Sequence, residues 1–373
     1  MHILVLNLVA FAHTGGVEKV SRILAKAISD IGMETGSRVL NLSLYDTLPD
    51  TRYVTEKQYK GFKKNRIQFL LHAIKHGKNA KHLVITHIHL AFPALIVKLF
   101  NPAIKIHIIA HGIEIWAPLK GLQKMAIRFC YQILAVSNFT KKNIADRYPE
   151  TEPKIKVLNN CLDPFYQPPA SFIKPVQLLE KYRIGLDEKV LITLCRLSSS
   201  EKYKGYDTVL KAMASLKDEY RLRYILLGKY DRKEYKRLLK IIEEENLEDH
   251  VILVGFVSEE SLSEHLLLGD LFIMPSIKEG FGIAFIEAAA AGLPLIAGNK
   301  DGSVDALLNG QLGQLVDPSD LSAITAAIQN CMDSKPDPLK QQNLVLQHFN
   351  YETYKNNLKI ALKLASINAF KRP

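Results

Sequence analysis

The most constraining feature of the chain is a run of thirteen residues, Pro275-Ser276-Ile277-Lys278-Glu279-Gly280-Phe281-Gly282-Ile283-Ala284-Phe285-Ile286-Glu287. An apolar stretch, Asp270-Leu271-Phe272-Ile273-Met274, precedes it, and the strong helix formers Ala288 to Ala291 follow, with Gly292-Leu293-Pro294 as a stop. The pattern predicts strand, Gly-rich turn, helix, strand. A turn at the carboxyl end of a parallel strand is where open α/β sheets bind ligands. Backbone N–H groups of Phe281, Gly282 and Ile283 are expected free at the helix start, where the helix dipole favours an anion. Gly280 and Gly282 let a ligand come close to the backbone. Glu279 and Glu287, eight residues apart, are expected to grip two parts of an elongated ligand with its phosphates between them.

This stretch resembles the E-x7-E signature of retaining glycosyltransferases with two Rossmann-like domains (the GT-B architecture), specifically glycosyltransferase family 4. The resemblance implies that Glu279 touches a donor sugar, that Phe281, Gly282 and Ile283 offer backbone contacts, and that Glu287 binds a ribose.

At 373 residues the chain suits two domains rather than one core. Its 47% hydrophobic and 23% charged residues are ordinarily globular. Cys130, Cys161, Cys195 and Cys331 are scattered and form no C-x-x-C, as expected of a reducing cytosol. Met1 to Leu8 reads as a buried first strand rather than a signal peptide, and no apolar run reaches membrane-span length. The net charge of +11 is uneven: residues 57–82 hold eight Lys/Arg (Lys57, Lys60, Lys63, Lys64, Arg66, Lys75, Lys78, Lys81) and no acid. Phe62, Phe69, Leu70, Leu71 and Ile74 are interleaved with them. Such a segment is either an amphipathic element for an anionic membrane surface or a core-facing helix with a solvated basic side, and the sequence leaves both open. Nucleic acid is disfavoured, because no helix-turn-helix, zinc-finger or RNP-like pattern accompanies the charge.

Along the first half, His13-Thr14-Gly15-Gly16-Val17-Glu18 opens a periodic helix (Val20, Ile23, Leu24, Ala27, Ile28) expected to end at Gly32. Gly15-Gly16 is a phosphate-compatible turn, but it is not G-x-G-x-x-G, and no ribose-binding acid stands convincingly after the second strand. Both points argue against a nicotinamide enzyme. In family 4 this loop is near the donor phosphates and the acceptor. Ala110-His111-Gly112-Ile113-Glu114-Ile115-Trp116 follows a strand and resembles the His-Gly-x-Glu-x-Trp segment of bacterial members, implying that His111 contacts the transferred sugar. His87 and His89 are expected to be wall or loop residues. Ser137 or Asn138 caps the next helix.

Pro164, Pro168, Pro169 and Pro175 mark a linker near 165–180. We expect an N-terminal Rossmann-like acceptor-side domain over 1–170, joined by a C-terminal helix of about 352–373 that crosses back. A nucleotide-sugar donor domain is expected over 171–351. Its first strand ends near Cys195, and Arg196 and Lys204 flank the domain's mouth, with Lys202 as a competitor for the second role. Two cations there can neutralise the charge developing on a departing nucleoside diphosphate. The resemblance also implies that the turn Gly255-Phe256-Val257 is beside the nucleotide base.

The sequence thus points to an α/β protein with two Rossmann-like domains facing across a cleft. The expected function is retaining transfer of a hexose from a nucleotide sugar (GDP-mannose or UDP-hexose) to a sugar hydroxyl of a glycan or lipid-linked acceptor, as in surface polysaccharide synthesis. No Asp-x-Asp occurs, so no metal and no other cofactor is expected, and the nucleotide sugar is a substrate. The expected location is cytoplasmic and peripheral to the cell membrane. The alternatives are a silent nucleotide-sugar-binding partner of a transferase and a two-domain phosphorylase or epimerase. Neither a pyridoxal lysine nor loss of the leaving-group residues supports them.

Overall fold

Continuous apolar runs such as Ile3-Leu4-Val5-Leu6 require cover on both faces of a sheet. In the computed structural model, which describes residues 2–364, they have it. Leu4, Leu6, Leu83, Ile85, Ile106 and Ile108 pack into one buried cluster, and Ile3, Val5, Val84 and Ile109 into another.

The chain divides into two units, at Pro164/Phe165 and again at Asn350/Tyr351. The first unit has seven strands: β1 (His2–Asn7), β2 (Arg38–Ser43), β3 (Tyr59–Gly61), β4 (His82–Ile85), β5 (Lys105–Ala110), β6 (Gln132–Ala135) and β7 (Ile155–Val157). They pair in parallel in the order β3-β2-β1-β4-β5-β6-β7. The second unit has β8 (Lys189–Leu194), β9 (Leu222–Leu227), β10 (Val251–Gly255), β11 (Leu271–Met274), β12 (Leu295–Gly298) and β13 (Gly313–Val316). Their order, again parallel, is β10-β9-β8-β11-β12-β13, the doubly wound arrangement of dinucleotide-binding sheets.

Local structure departs from the sequence reading in three places. The first helix, Gly16–Thr35, runs through Gly32 and stops at Gly36, whose φ of 64° gives the left-handed cap. Gly32 instead admits the following strand, since a Cβ there would be 2.4 Å from a Val39 methyl. Residues 57–82 are not one amphipathic segment. They form a 3-10 turn (Glu56–Gln58), then β3, then a helix, Arg66–Gly77. Positive φ at Lys63 and Lys64 separates the last two, and Asn65 caps the helix by accepting from Gln68 N at 3.0 Å. The final helix is shorter than expected, Tyr351–Ala361. Tyr354 and Leu358 pack on the first unit's core, and Lys355 and Lys359 pair with Glu34. The rest of the predicted helix, residues 365–373, falls outside the described residues.

Candidate active site

In the second unit the strand order reverses about β8, whose neighbours are β9 and β11. The strands are parallel, so the loops leaving the carboxyl ends of β8 and β11 open at one switch point. Those loops are residues 195–205 and 275–282, and they are fastened together. Ile277 N donates to Tyr203 O at 3.0 Å. Gly205 (φ 83°) lies so close to Pro275 that a Cβ would be 2.3 Å from its carbonyl oxygen. This contact puts Lys204 against Glu279: its ammonium donates to Glu279 Oε1, and both side chains are largely buried. Burial alone would lower the Lys204 pKa, but the Glu279 carboxylate outweighs it and the net shift is upward, so Lys204 stays charged.

Glu279 is itself held from behind. Its backbone N–H donates to Asp301 Oδ2 at 2.7 Å, and its carbonyl accepts from Gly302 N at 2.8 Å. Asp301 is 1% exposed and also accepts from Ser276 Oγ at 2.7 Å and from Ser303 N at 2.9 Å. Burial raises its carboxyl to about 6 against the opposing pull of these hydrogen bonds. The helix beyond the turn, Ile283–Ala290, has Gly282 as its N-cap (φ 87°) and no side-chain cap. Phe281 is buried edge-on to Phe349, with ring centroids 5.5 Å apart. Glu287 is 5% exposed on the same helix. One charged lysine, one carboxylate and an uncapped helix start thus meet at the switch point, an arrangement suited to a phosphate flanked by hydroxyls.

Arg196 does not join them. Its guanidinium pairs with Glu201, and its side chain is 71% exposed. Gly255, Phe256 and Val257 close β10, two strands from β8. Gly255 O accepts from Gly228 N at 2.8 Å, and the half-exposed Phe256 ring lies under the Lys229 ammonium at 4.8 Å.

The first unit reverses order between β1 and β4. Gly15 and Gly16 end the loop after β1, exposed, and a Cβ on Gly16 would meet nothing within 4 Å. His111, buried at the end of β5, has Nε2 2.7 Å from Thr86 O, and its backbone N–H donates to Glu114 Oε1 at 2.7 Å. His87 is 6.5 Å from the His111 ring, centroid to centroid, and burial takes it down to about 3, with the His111 and His89 charges adding to the shift.

A family profile, glycosyl transferases group 1, matches residues 177–345, the segment that carries the Lys204–Glu279 pair. Over that segment the chain is similar to the group 1 glycosyltransferases. The N-acetyl-alpha-D-glucosaminyl L-malate synthase of Bacillus anthracis is 26% identical to this chain over 349 residues, 88% of each. The GDP-mannose-dependent alpha-(1-6)-phosphatidylinositol monomannoside mannosyltransferase of Mycolicibacterium smegmatis is 30% identical over 162 residues, 41% of this chain and 40% of its own length. Anabaena HepE, solved with UDP and glucose, superposes with a TM-score of 0.79 at 19% identity, covering 97% of this chain and 99% of that one. The fold is that of GT-B glycosyltransferases.

Two residues that position the loops escaped the sequence reading. Asp301 braces the Glu279 turn. In the first unit Asp46, fully buried, accepts from Ala10 N (2.8 Å), Phe11 N (3.1 Å) and Ala12 N (2.7 Å), just before Gly15. Ser43 Oγ at 2.7 Å and the Tyr59 hydroxyl at 2.5 Å also donate to it.

Proposed function

We propose that this protein is a glycosyltransferase that moves a hexose from a nucleotide sugar to a hydroxyl of a glycan or lipid-linked saccharide, with retention and without a metal, at the cytoplasmic face of surface-polysaccharide synthesis. The observation that carries the reading is the Lys204–Glu279 pair beside the uncapped start of helix Ile283–Ala290. Cleaving the donor places charge on the departing diphosphate. A fixed cation and a helix N-terminus answer that charge with little reorganisation.

In this reading Lys204 meets the diphosphate, and the N–H groups of Phe281, Gly282 and Ile283 receive it. Glu279 holds the hexose, and Glu287 the ribose. Arg196 exchanges Glu201 for phosphate, which its exposure permits. Gly255, Phe256 and Val257 border the base. On the acceptor side, Gly15 and Gly16 leave room for substrate, and His111, oriented through Thr86 and Glu114, contacts the transferred sugar. Neither Glu279 nor Glu287 serves as nucleophile. Positioning and charge stabilisation suffice if the leaving phosphate takes the acceptor's proton on the same face.

The likeness to a glucosaminyl L-malate synthase over 88% of each chain supports a second acceptor class, a small hydroxy acid. The test is transfer by the purified chain in EDTA, with UDP- and GDP-hexoses offered against saccharide and hydroxy-acid acceptors and the anomeric configuration of the product read by NMR. An inverted product, or strict dependence on added metal, overturns the mechanism.

A further inference from the structure

We propose that the outer face of three helices in the first unit, Arg66–Gly77, Ala91–Phe100 and Gly121–Phe129, docks on an anionic lipid bilayer. The three pack side by side on one face of the sheet, the first against the second and the second against the third. Each has a proper core stripe: Phe69 and Ala73, then Ala94 and Val97, then Ala126 and Ile127, all buried in one cluster. A single amphipathic helix needs no more apolar residues than these to fold. Yet each presents a second apolar stripe to water.

On the first helix Ile67 and Leu71 are 74% and 60% exposed, one turn apart. On the second, Phe92 and Leu99 point outward, Leu99 at 73%, and Phe100 lies under the ammonium of Lys78, just after the neighbouring helix, at 5.5 Å. On the third, Leu122, Met125 and Phe129 repeat at helical spacing, with Phe129 at 60%. Of the chain's exposed large apolar residues, these eight gather on three adjacent helices. Scattered exposed hydrophobes need no explanation, but a contiguous set marks an interaction surface.

Charge selects the occupant. From Lys57 to Arg128 the sequence has thirteen Lys/Arg and a single acid, Glu114, a net +12, so the remainder of the chain is close to neutral. Arg66, Lys75, Lys124 and Arg128 lie on these same three helices and Lys78 directly follows the first of them, all exposed. Apolar side chains ringed by lysine and arginine suit the interface of an anionic bilayer, where the former enter the acyl boundary and the latter meet the headgroups. Among the described residues no helix is long and apolar enough to cross a membrane, so the contact is peripheral. Phe62 and Phe69, which the sequence offered as part of a membrane-facing stripe, belong to the core instead. The proposal deepens the reading of a lipid-linked acceptor and rests on it only for the identity of that acceptor.

The test is cosedimentation of the full chain with phosphatidylglycerol/phosphatidylcholine vesicles and with phosphatidylcholine vesicles alone, over a salt series. Binding to the anionic vesicles only, weakened by salt, is expected. The variant Leu71→Ser/Leu99→Ser/Phe129→Ser should bind about tenfold or more weakly while keeping its circular dichroism and its affinity for nucleoside diphosphate. Three results overturn the proposal: no binding by the wild type, equal binding by the variant, or a wild-type dimer in sedimentation that the variant dissolves. Nucleotide affinity, read without vesicles, reports separately on the transferase reading.

Discussion

The switch point of the second unit depends on single side chains. Removing the Lys204 ammonium leaves Glu279 charged in a largely buried position with its partner gone, a loss of about 1–3 kcal/mol. Lys204→Ala should therefore lower the melting temperature. It should also reduce transfer by about 10²–10³-fold, the range for deleting one electrostatic group aimed at a departing charge. Thermal melts and initial rates check the two effects independently. Arg196→Ala takes the partner from Glu201, whose side chain is only 13% exposed, so it should lower stability too. The loss should be smaller than for Lys204→Ala because the arginine end of the pair is in solvent, and transfer should also fall.

Asp301 gives a pH dependence. Burial raises its folded-state carboxyl to about 6, above the ordinary 3.8, so the folded protein holds this proton more tightly than the unfolded chain. Its contribution to stability is full below about 4 and is lost as pH rises through 6. Denaturation of wild type and Asp301→Asn at pH 4.5 and pH 7 should show the wild type gaining on the variant at the lower pH. Parallel behaviour would mean that the carboxyl is not perturbed.

At the level of elements, backbone approach decides which positions tolerate a methyl group. A Cβ on Gly302 would be 2.1 Å from Gly280 O, against the turn that carries Glu279. Gly302→Ala should destabilise by about 1–3 kcal/mol through overpacking and weaken nucleotide binding, read by calorimetry. Gly16→Ala meets open space, so it should melt like wild type. If donor or acceptor comes to that loop, the same change should still slow transfer about tenfold through mispositioning.

The strand–turn–helix of 270–290 was legible because its signals are contiguous: an apolar run, glycines, alanines, a Gly-Pro stop. The bracing carboxylates were not. Asp301 meets Glu279 across 22 residues, and Asp46 meets Ala12 across 34, through loops whose proximity only the strand order creates. Gly32 looked like a helix stop because sequence spacing cannot tell a cap from a close helix–strand approach. β3 was missed because three residues, Tyr59–Gly61, contain no alternation to read. The pairing of Arg196 with Glu201 was equally hidden, since both cations of the mouth looked alike on paper.

On the scale of the whole molecule, the second unit is one continuous segment, whereas the first is closed by the chain's return at Tyr351. Ending the chain at Asn350 would strip Tyr354 and Leu358 from the first unit's core and free Glu34 from two lysines. Thermal unfolding of that truncation should show the first unit melting earlier while nucleoside diphosphate still stabilises the second. The alternating strands and helices and the Pro-rich stretch made two Rossmann-like units legible, because parallel strands buried on both faces read as unbroken apolar runs. The surplus apolar stripes of the first unit were not legible, since a helix wheel alone cannot say which of two stripes meets the core.

The central claim is that the Lys204–Glu279 switch point holds a nucleoside diphosphate, and calorimetric titration of the purified chain with UDP and GDP in EDTA tests it most directly. Saturable binding of one of them to wild type, lost in Lys204→Ala while the variant remains folded, is the predicted result. Equal binding by wild type and Lys204→Ala, or no binding by the wild type, would contradict it.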